Sequence, residues 1–356
     1  MEDYYYFMID GYKAPLGYVH KTFVEVIEWQ EYWHLDHEKR LLVLTVQGGF
    51  NERTEAMQAT LKQGHQRGKV DCLRKWGAEV LPVITPYGDH VLDMDLCGVD
   101  VFGIRTFGVH LTAYVRTDEG LKYWVPRRAK TKTPYPGMLD NTVAANLFSG
   151  QKPLKKIIRR AEGEASIPFE YTAKHAKACG TVTYQMTRTN EGKPGCQHHV
   201  QYVYEMELSP DMIPKPFNGD VEKFKLMTLQ EVVDALHRGE FNFRAMTWVA
   251  HFIRHGIVNP DNEPKIIEAL HFDAMSLNKV HSGTTRENTA EALDLVEPYD
   301  DIDLSHLTGM DTSSRTYTSL LSNNDFSTHD IRIQPLRGET GSDYWSIQVI
   351  TPFGST

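Results

Sequence analysis

Residues 150–166, GQKPLKKIIRRAEGEAS, constrain this chain more than any other stretch. Leu154, Ile157, Ile158, Ala161 and Ala165 recur at helical spacing, which predicts a helix with one buried apolar stripe. Positions 160, 163 and 164 are spaced i, i+3, i+4 and share the other face. Carboxylates at all three could hold a divalent cation against a diphosphate. Here they are Arg160, Gly163 and Glu164. The frame of a metal-binding helix is present and most of its ligands are not.

The 356 residues are 41% hydrophobic and 24% charged, the composition of a globular chain with two or three cores. A net charge of −9 argues against a nucleic-acid partner. No run approaches the roughly 18 apolar residues of a membrane span. The four cysteines, Cys72, Cys97, Cys179 and Cys196, form no CxxC pair, which argues against structural zinc. With no signal-like apolar start, reduced thiols in a cytoplasmic setting are expected.

Residues 1–100 read as a small α+β unit. Strands are expected at 4–9, 18–19, 41–45, 80–83 and 91–92, and helices at 23–32 and 55–64, the latter capped by Asn51. From 101 to 271 the order is strands (107–115, 121–125), a polar loop, the 150–166 helix, strands (181–186, 200–208) and helices (229–237, 245–254). That order predicts an α/β layered domain with a mixed sheet. Residues 272–356 form an extension: acidic at 291–303, rich in Ser, Thr and Asn at 305–327, then two alternating strands at 331–336 and 344–350.

The blocks FGIRTFGVHLTAYV, YWVPRRAKTKTPYPGMLDNTVA, SGQKPLKKIIRRAEGEAS, VQYVYEMEL and HFIRHG resemble the Nudix superfamily, specifically the branch related to thiamine pyrophosphokinase, over roughly residues 1–270. The resemblance implies an α/β/α sandwich preceded by an N-terminal extension domain. In the family the helix follows G-x5-E-x7-R-E-U-x-E-E-x-G-U, with U apolar. Laid on this chain, the first Gly falls at Ala145 and the first Glu at Gln151. Arg159 is kept, the next Glu becomes Arg160, and the Glu pair becomes Gly163 and Glu164. Family members supply several carboxylates to Mg²⁺, which demands octahedral oxygen ligands. One carboxylate remains here, and an Arg160–Glu164 ion pair would occupy it. Between 151 and 164, Lys152, Lys155, Lys156, Arg159 and Arg160 outnumber Glu162 and Glu164.

The candidate catalytic groups are Glu164, Glu162, His198 and His199. Two adjacent histidines on a strand point to opposite faces, so at most one can serve a given site. Arg127, Arg128, Lys130 and Lys132 read as a basic clamp for phosphate or carboxylate. Asp140, Tyr202, Arg244 and His251 complete the candidate pocket, with core packing the competing reading for Tyr202, Arg244 and His251.

Loss of ligands with gain of Arg and His predicts an enzyme working without metal on an organic small molecule, as an isomerase, cyclase or non-phosphate hydrolase. A Mg²⁺-dependent hydrolase of thiamine-diphosphate-like substrates and a non-catalytic ligand-binding protein are the alternatives. The expected partner is a small-molecule substrate, with no nucleic acid and no membrane. The C-terminal extension leaves room for a homodimer.

Overall fold

The computed structural model describes residues 3–77, 79–133, 135–188, 194–242, 246–255, 257, 330–337 and 343–350. The chain opens with β1 (Tyr4–Ile9), β2 (Gly17–His20), α1 (Lys21–Val26), β3 (Trp33–Asp36) and β4 (Leu41–Leu44). These strands form a sheet in the order β2-β1-β4-β3, with β1 and β4 parallel. α1 stops well short of residue 32. Ile27 is extended, and Trp29 and Trp33 reach the core on Phe102 from an irregular segment that one helix face could not supply.

α2 (Phe50–Arg67) begins one turn earlier than expected. Its cap is Gly49, whose N–H donates to Glu52 Oε2 at 2.8 Å, and Asn51 lies inside the helix. A hairpin of β5 (Val80–Ile84) and β6 (His90–Asp95) and the short α3 (Val99–Phe102) complete a core running from Phe7 to Ile104. That core is docked directly on the rest of the chain. Tyr4 donates its hydroxyl to Gly195 O at 2.8 Å. Gly103, at φ +56°, has no room for a side chain: a Cβ would sit 2.5 Å from Tyr18 O and 2.8 Å from Cys196 Cβ.

The larger sheet is mixed. Its strands are β7 (Arg105–Thr117), β8 (Gly120–Arg128), β9 (Val143–Leu147), β10 (Lys177–Arg188), β11 (Pro194–Glu207), β12 (Val221–Thr228), β13 (Asp330–Arg337) and β14 (Asp343–Ile350). The order is β12-β8-β7-β11-β10-β14-β13; β7–β11 and β10–β14 are parallel. The expected C-terminal strand pair therefore extends the sheet edge, while residues 291–303 and 305–327 lie outside the described residues.

β7 is long enough to split its partners. β8 pairs with it at 114–117 and β9 at 107–111 on the same side. The gap between them is closed by Thr142, whose Oγ1 accepts from Ala113 N at 2.8 Å and donates to Trp124 O at 2.7 Å. This fork holds residues 135–142 beside β7 and β8.

Alternation along the strands separates two layers. Val109, Leu111, Ala113, Trp124, Tyr204 and Met206 face α4 (Pro153–Ala165), flanked by α5 (Phe169–His175). Tyr114, Tyr123, Val125 and Met227 face α6 (Leu229–His237) and α7 (Met246–Arg254). Helices thus cover both faces of a mixed sheet, an α/β sandwich. No described helix is long and apolar enough to cross a membrane.

Candidate functional site

α4 forms where its pattern places it. Pro153 occupies the first turn, where a missing N–H costs nothing, and Ser166 closes the helix in the left-handed region. Leu154, Ile157, Ile158, Ala161 and Ala165 are all buried against the sheet. A Cβ at Gly163 would meet no atom within 4 Å, so the glycine answers no steric need. Gly163→Ala should stabilise the protein by about 0.5–1 kcal/mol, read as a higher unfolding temperature.

Lys155, Arg159 and Glu162 of α4 are exposed, but its Arg160–Glu164 edge is not a solvated charged face. Glu164 is 6% exposed and ion-paired with Arg160, and its Oε2 lies 3.4 Å from Ala144 N–H. Arg160 also reaches Asp220 Oδ2 at 3.2 Å, and Lys132 Nζ meets the same oxygen at 2.7 Å. Arg128 donates to Asp140 Oδ2 at 2.7 Å and to Tyr135 O at 3.0 Å. The result is an interlocked set: Arg160 between Glu164 and Asp220, Lys132 on Asp220, Arg128 on Asp140. Burial pushes the Glu164 carboxyl up to about 7, with Asp140 adding to it and Arg160 opposing it.

Three carboxylates therefore stand in this cleft, and each is engaged by a basic side chain. Mg²⁺ would need several of their oxygens at about 2.0–2.1 Å. Arg160 already holds two of the three, so this donor set does not fit the ion.

The other candidates separate. Adjacent residues of β8 point oppositely, so Arg128 joins the α4 face while Arg127 turns to the α6 face. There Arg127 donates to Gly137 O at 2.7 Å, sits 3.6 Å from Glu240 and lines a cavity of about 290 Å³ with Lys223, Lys225 and Arg238. Lys130 and Glu162 are exposed. Tyr202 packs into the α4-side core. Arg244 lies outside the described residues.

His199 does not meet Glu164. It pairs in register with Thr106, four residues before His110, and His110 is the partner of Ala144. That is about 13 Å along the sheet. It also lies on the opposite face, its Nδ1 2.7 Å from Thr106 Oγ1 and its Nε2 3.0 Å from Gln197 Oε1. His198 shares the α4 face, but burial and then Arg105 push its pKa down to about 3, so its ring is neutral at neutral pH.

His251 is fully buried on α7, where Glu205 Oε1 lies 3.0 Å from its Nδ1 and the Tyr123 hydroxyl 3.3 Å from its Nε2. His255 Nε2 reaches the other oxygen of Glu205 at 2.7 Å. Burial raises the Glu205 pKa, but His251, His255 and Arg254 outweigh it and hold the group well below the usual carboxylate range. Burial pushes His251 down against the pull of Glu205.

Asp220 and His255 are not among the residues expected from the sequence. Asp220 ends an Asn-Gly-Asp turn before β12, and His255 stands i, i+4 from His251 just past the end of α7, patterns that point to them in hindsight.

Comparison with known proteins agrees with this frame. A family model described as a domain of unknown function, DUF4743, matches residues 1–106. An uncharacterized protein of Saccharomyces cerevisiae is 31% identical over 281 residues, 74% of this chain and 81% of its own length. Nudix hydrolase 20, chloroplastic, of Arabidopsis thaliana is 28% identical over 261 residues, 69% of this chain and 67% of its own. Among solved structures, DR0079 from Deinococcus radiodurans aligns with 49% of this chain and 98% of its own at 17% identity and a TM-score of 0.37. The chain belongs to the Nudix superfamily.

Proposed function

We propose that the chain is a Nudix-fold hydrolase of a small anionic organic molecule, in which Arg160 supplies the positive charge and Glu164 the acid/base group. One observation carries this reading: a single guanidinium bridges Glu164 and Asp220 in the cleft. A cation is thus built into the chain beside the carboxylates. The side chains of Arg160, Lys132 and Asp220 are 29%, 35% and 25% exposed, so a small ligand reaches them from solvent. Its anionic group pairs with Arg160 and Lys132 and displaces Asp220. Glu164 accepts a proton from the attacking water and returns it to the leaving group, a task suited to a group titrating near neutrality. The same proton transfer would serve an isomerisation or cyclisation, and product masses separate these: only hydrolysis adds the elements of water.

The test is a turnover screen of anionic esters and lactones beside thiamine diphosphate, nucleoside diphosphate compounds and isoprenyl diphosphates, each with and without added Mg²⁺ or Mn²⁺. The expected result is turnover of a non-phosphate substrate at a rate unchanged by the added ion. Cleavage of a diphosphate only with the ion present overturns the reading in favour of a Mg²⁺-dependent hydrolase. A paired variant sharpens it. Arg160→Glu with Gly163→Glu rebuilds the carboxylate face, and added Mg²⁺ should raise the unfolding temperature of that variant but not of the parent.

A further inference from the structure

On the face of the sheet opposite Glu164, among the described residues, Glu205, His251 and His255 bring their ligand atoms within 4.8 Å of one another. The two histidines stand i, i+4, with His255 N–H donating to His251 O at 3.1 Å, so both rings leave the same side of α7. Glu205 meets them from β11, 4% exposed.

The geometry leaves this group incomplete. Glu205 Oε1 and His251 Nδ1 face each other at 3.0 Å, both buried, and neither makes a hydrogen bond of acceptable geometry. When His251 Nε2 carries the ring proton and donates it to the Tyr123 hydroxyl, Nδ1 presents a lone pair to a carboxylate oxygen. Two acceptors then confront each other in a buried space, an arrangement that a cation between them relieves.

We propose that Glu205, His251 and His255 bind a divalent zinc-class ion that fastens α7 to β11. Two imidazoles and one carboxylate are a zinc donor set. Ligand atoms about 2.0–2.2 Å from a tetrahedral ion stand roughly 3.3 Å apart, close to the 3.0 Å and 2.7 Å spacings present. Tyr123 supplies the outer hydrogen bond that orients a metal-bound imidazole. Arg254, 4.0 Å from Glu205 Oε2, opposes the ion, and its repulsion is the main cost of the site. The fourth position falls to water or to Cys179, which occupies a bulge of β10 beside Glu205 and interacts with both Glu205 and Arg254. The proposal is independent of the reading of the α4 site.

The experiment is Zn²⁺ titration of the full chain followed by calorimetry, with Co²⁺ as a spectroscopic probe. One equivalent of Zn²⁺ should bind and raise the unfolding temperature. Co²⁺ should give the visible bands of a tetrahedral centre, with a thiolate charge-transfer band if Cys179 is the fourth ligand. His255→Gln, at a partly exposed position chosen to preserve folding, should lose stoichiometric binding, while Tyr123→Phe should weaken it by about 10–100-fold. Absence of stoichiometric Zn²⁺ binding by the parent chain overturns the proposal and leaves a hydrogen-bonded His–Glu–His cluster. Unchanged binding in His255→Gln overturns it too, by placing the ion elsewhere. Diphosphate turnover requiring Mg²⁺ would remove the α4 reading and leave this one standing.

Discussion

Glu164→Gln lowers turnover by about 10²–10⁴-fold at neutral pH, the usual worth of a positioned proton acceptor. The substitution keeps the side chain's size and its contact with Ala144 N–H, and removes only the charge and the proton. Arg160 keeps Asp220 as a partner, so the cleft stays assembled. The pH profile is the sharper readout. In the parent chain the rate climbs with pH through about 7, where Glu164 becomes a carboxylate. In the variant that limb is gone. Stability moves the opposite way. Between the ordinary 4.5 and about 7, the unfolded chain has released this proton and the folded chain still holds it. Rising pH across that window therefore destabilises the parent, by up to about 3 kcal/mol, and Glu164→Gln abolishes the slope. A variant with full turnover and the parent's pH profile would place the working group elsewhere and end the assignment of Glu164.

The parts of this site that were legible in the sequence are those fixed by local periodicity. α4 is readable because its apolar residues repeat at 3.6, and the Arg160–Glu164 pair follows from their spacing alone. β7 and β8 are readable from their β-rich runs, but which of Arg127 and Arg128 enters the cleft is not. That choice depends on the absolute face of β8, set when Trp124 packs under α4 and Tyr123 under α7. His199 fails for the same reason. Its side of β11 is fixed by parallel pairing with β7, a contact across more than ninety residues of chain, recorded by the Thr106–His199 bond. Asp220 enters only because the segment after β11 folds back along α4, where Lys215 N–H bonds Ala165 O at 2.9 Å. No local pattern announces such a return. A helix over 23–32 is expected because Trp29 and Tyr32 imitate a helical stripe, whereas both pack on the core from an irregular segment.

Trp248→Ala should cost about 3–5 kcal/mol, the usual range for removing a large buried aromatic. Trp248 is fully buried at the centre of the core between the sheet and α7. Tyr123 meets it edge-on at 5.4 Å, Phe241 at 5.8 Å and Phe252 at 6.0 Å. Deleting the indole leaves these three rings facing a void that close-packed neighbours fill only in part. For a chain of this size the loss corresponds to roughly 4–7 °C in unfolding temperature. Trp248→Phe should cost distinctly less. The indole N–H is buried with no hydrogen-bond partner, so the smaller ring removes an unsatisfied donor along with the volume, and the two changes partly cancel. The pattern across the sheet is equally specific. Trp248 touches the face away from Glu164, and the strands between them are held by their own hydrogen bonds. Below its lowered unfolding temperature, Trp248→Ala should therefore turn over substrate at the parent rate, while Glu164→Gln does not. Both variants lose the N–H and differ only in the void they leave, so equal stability of the two would show that the void does not govern the cost. A loss below about 1 kcal/mol in Trp248→Ala would mean that α7 does not close this core as described.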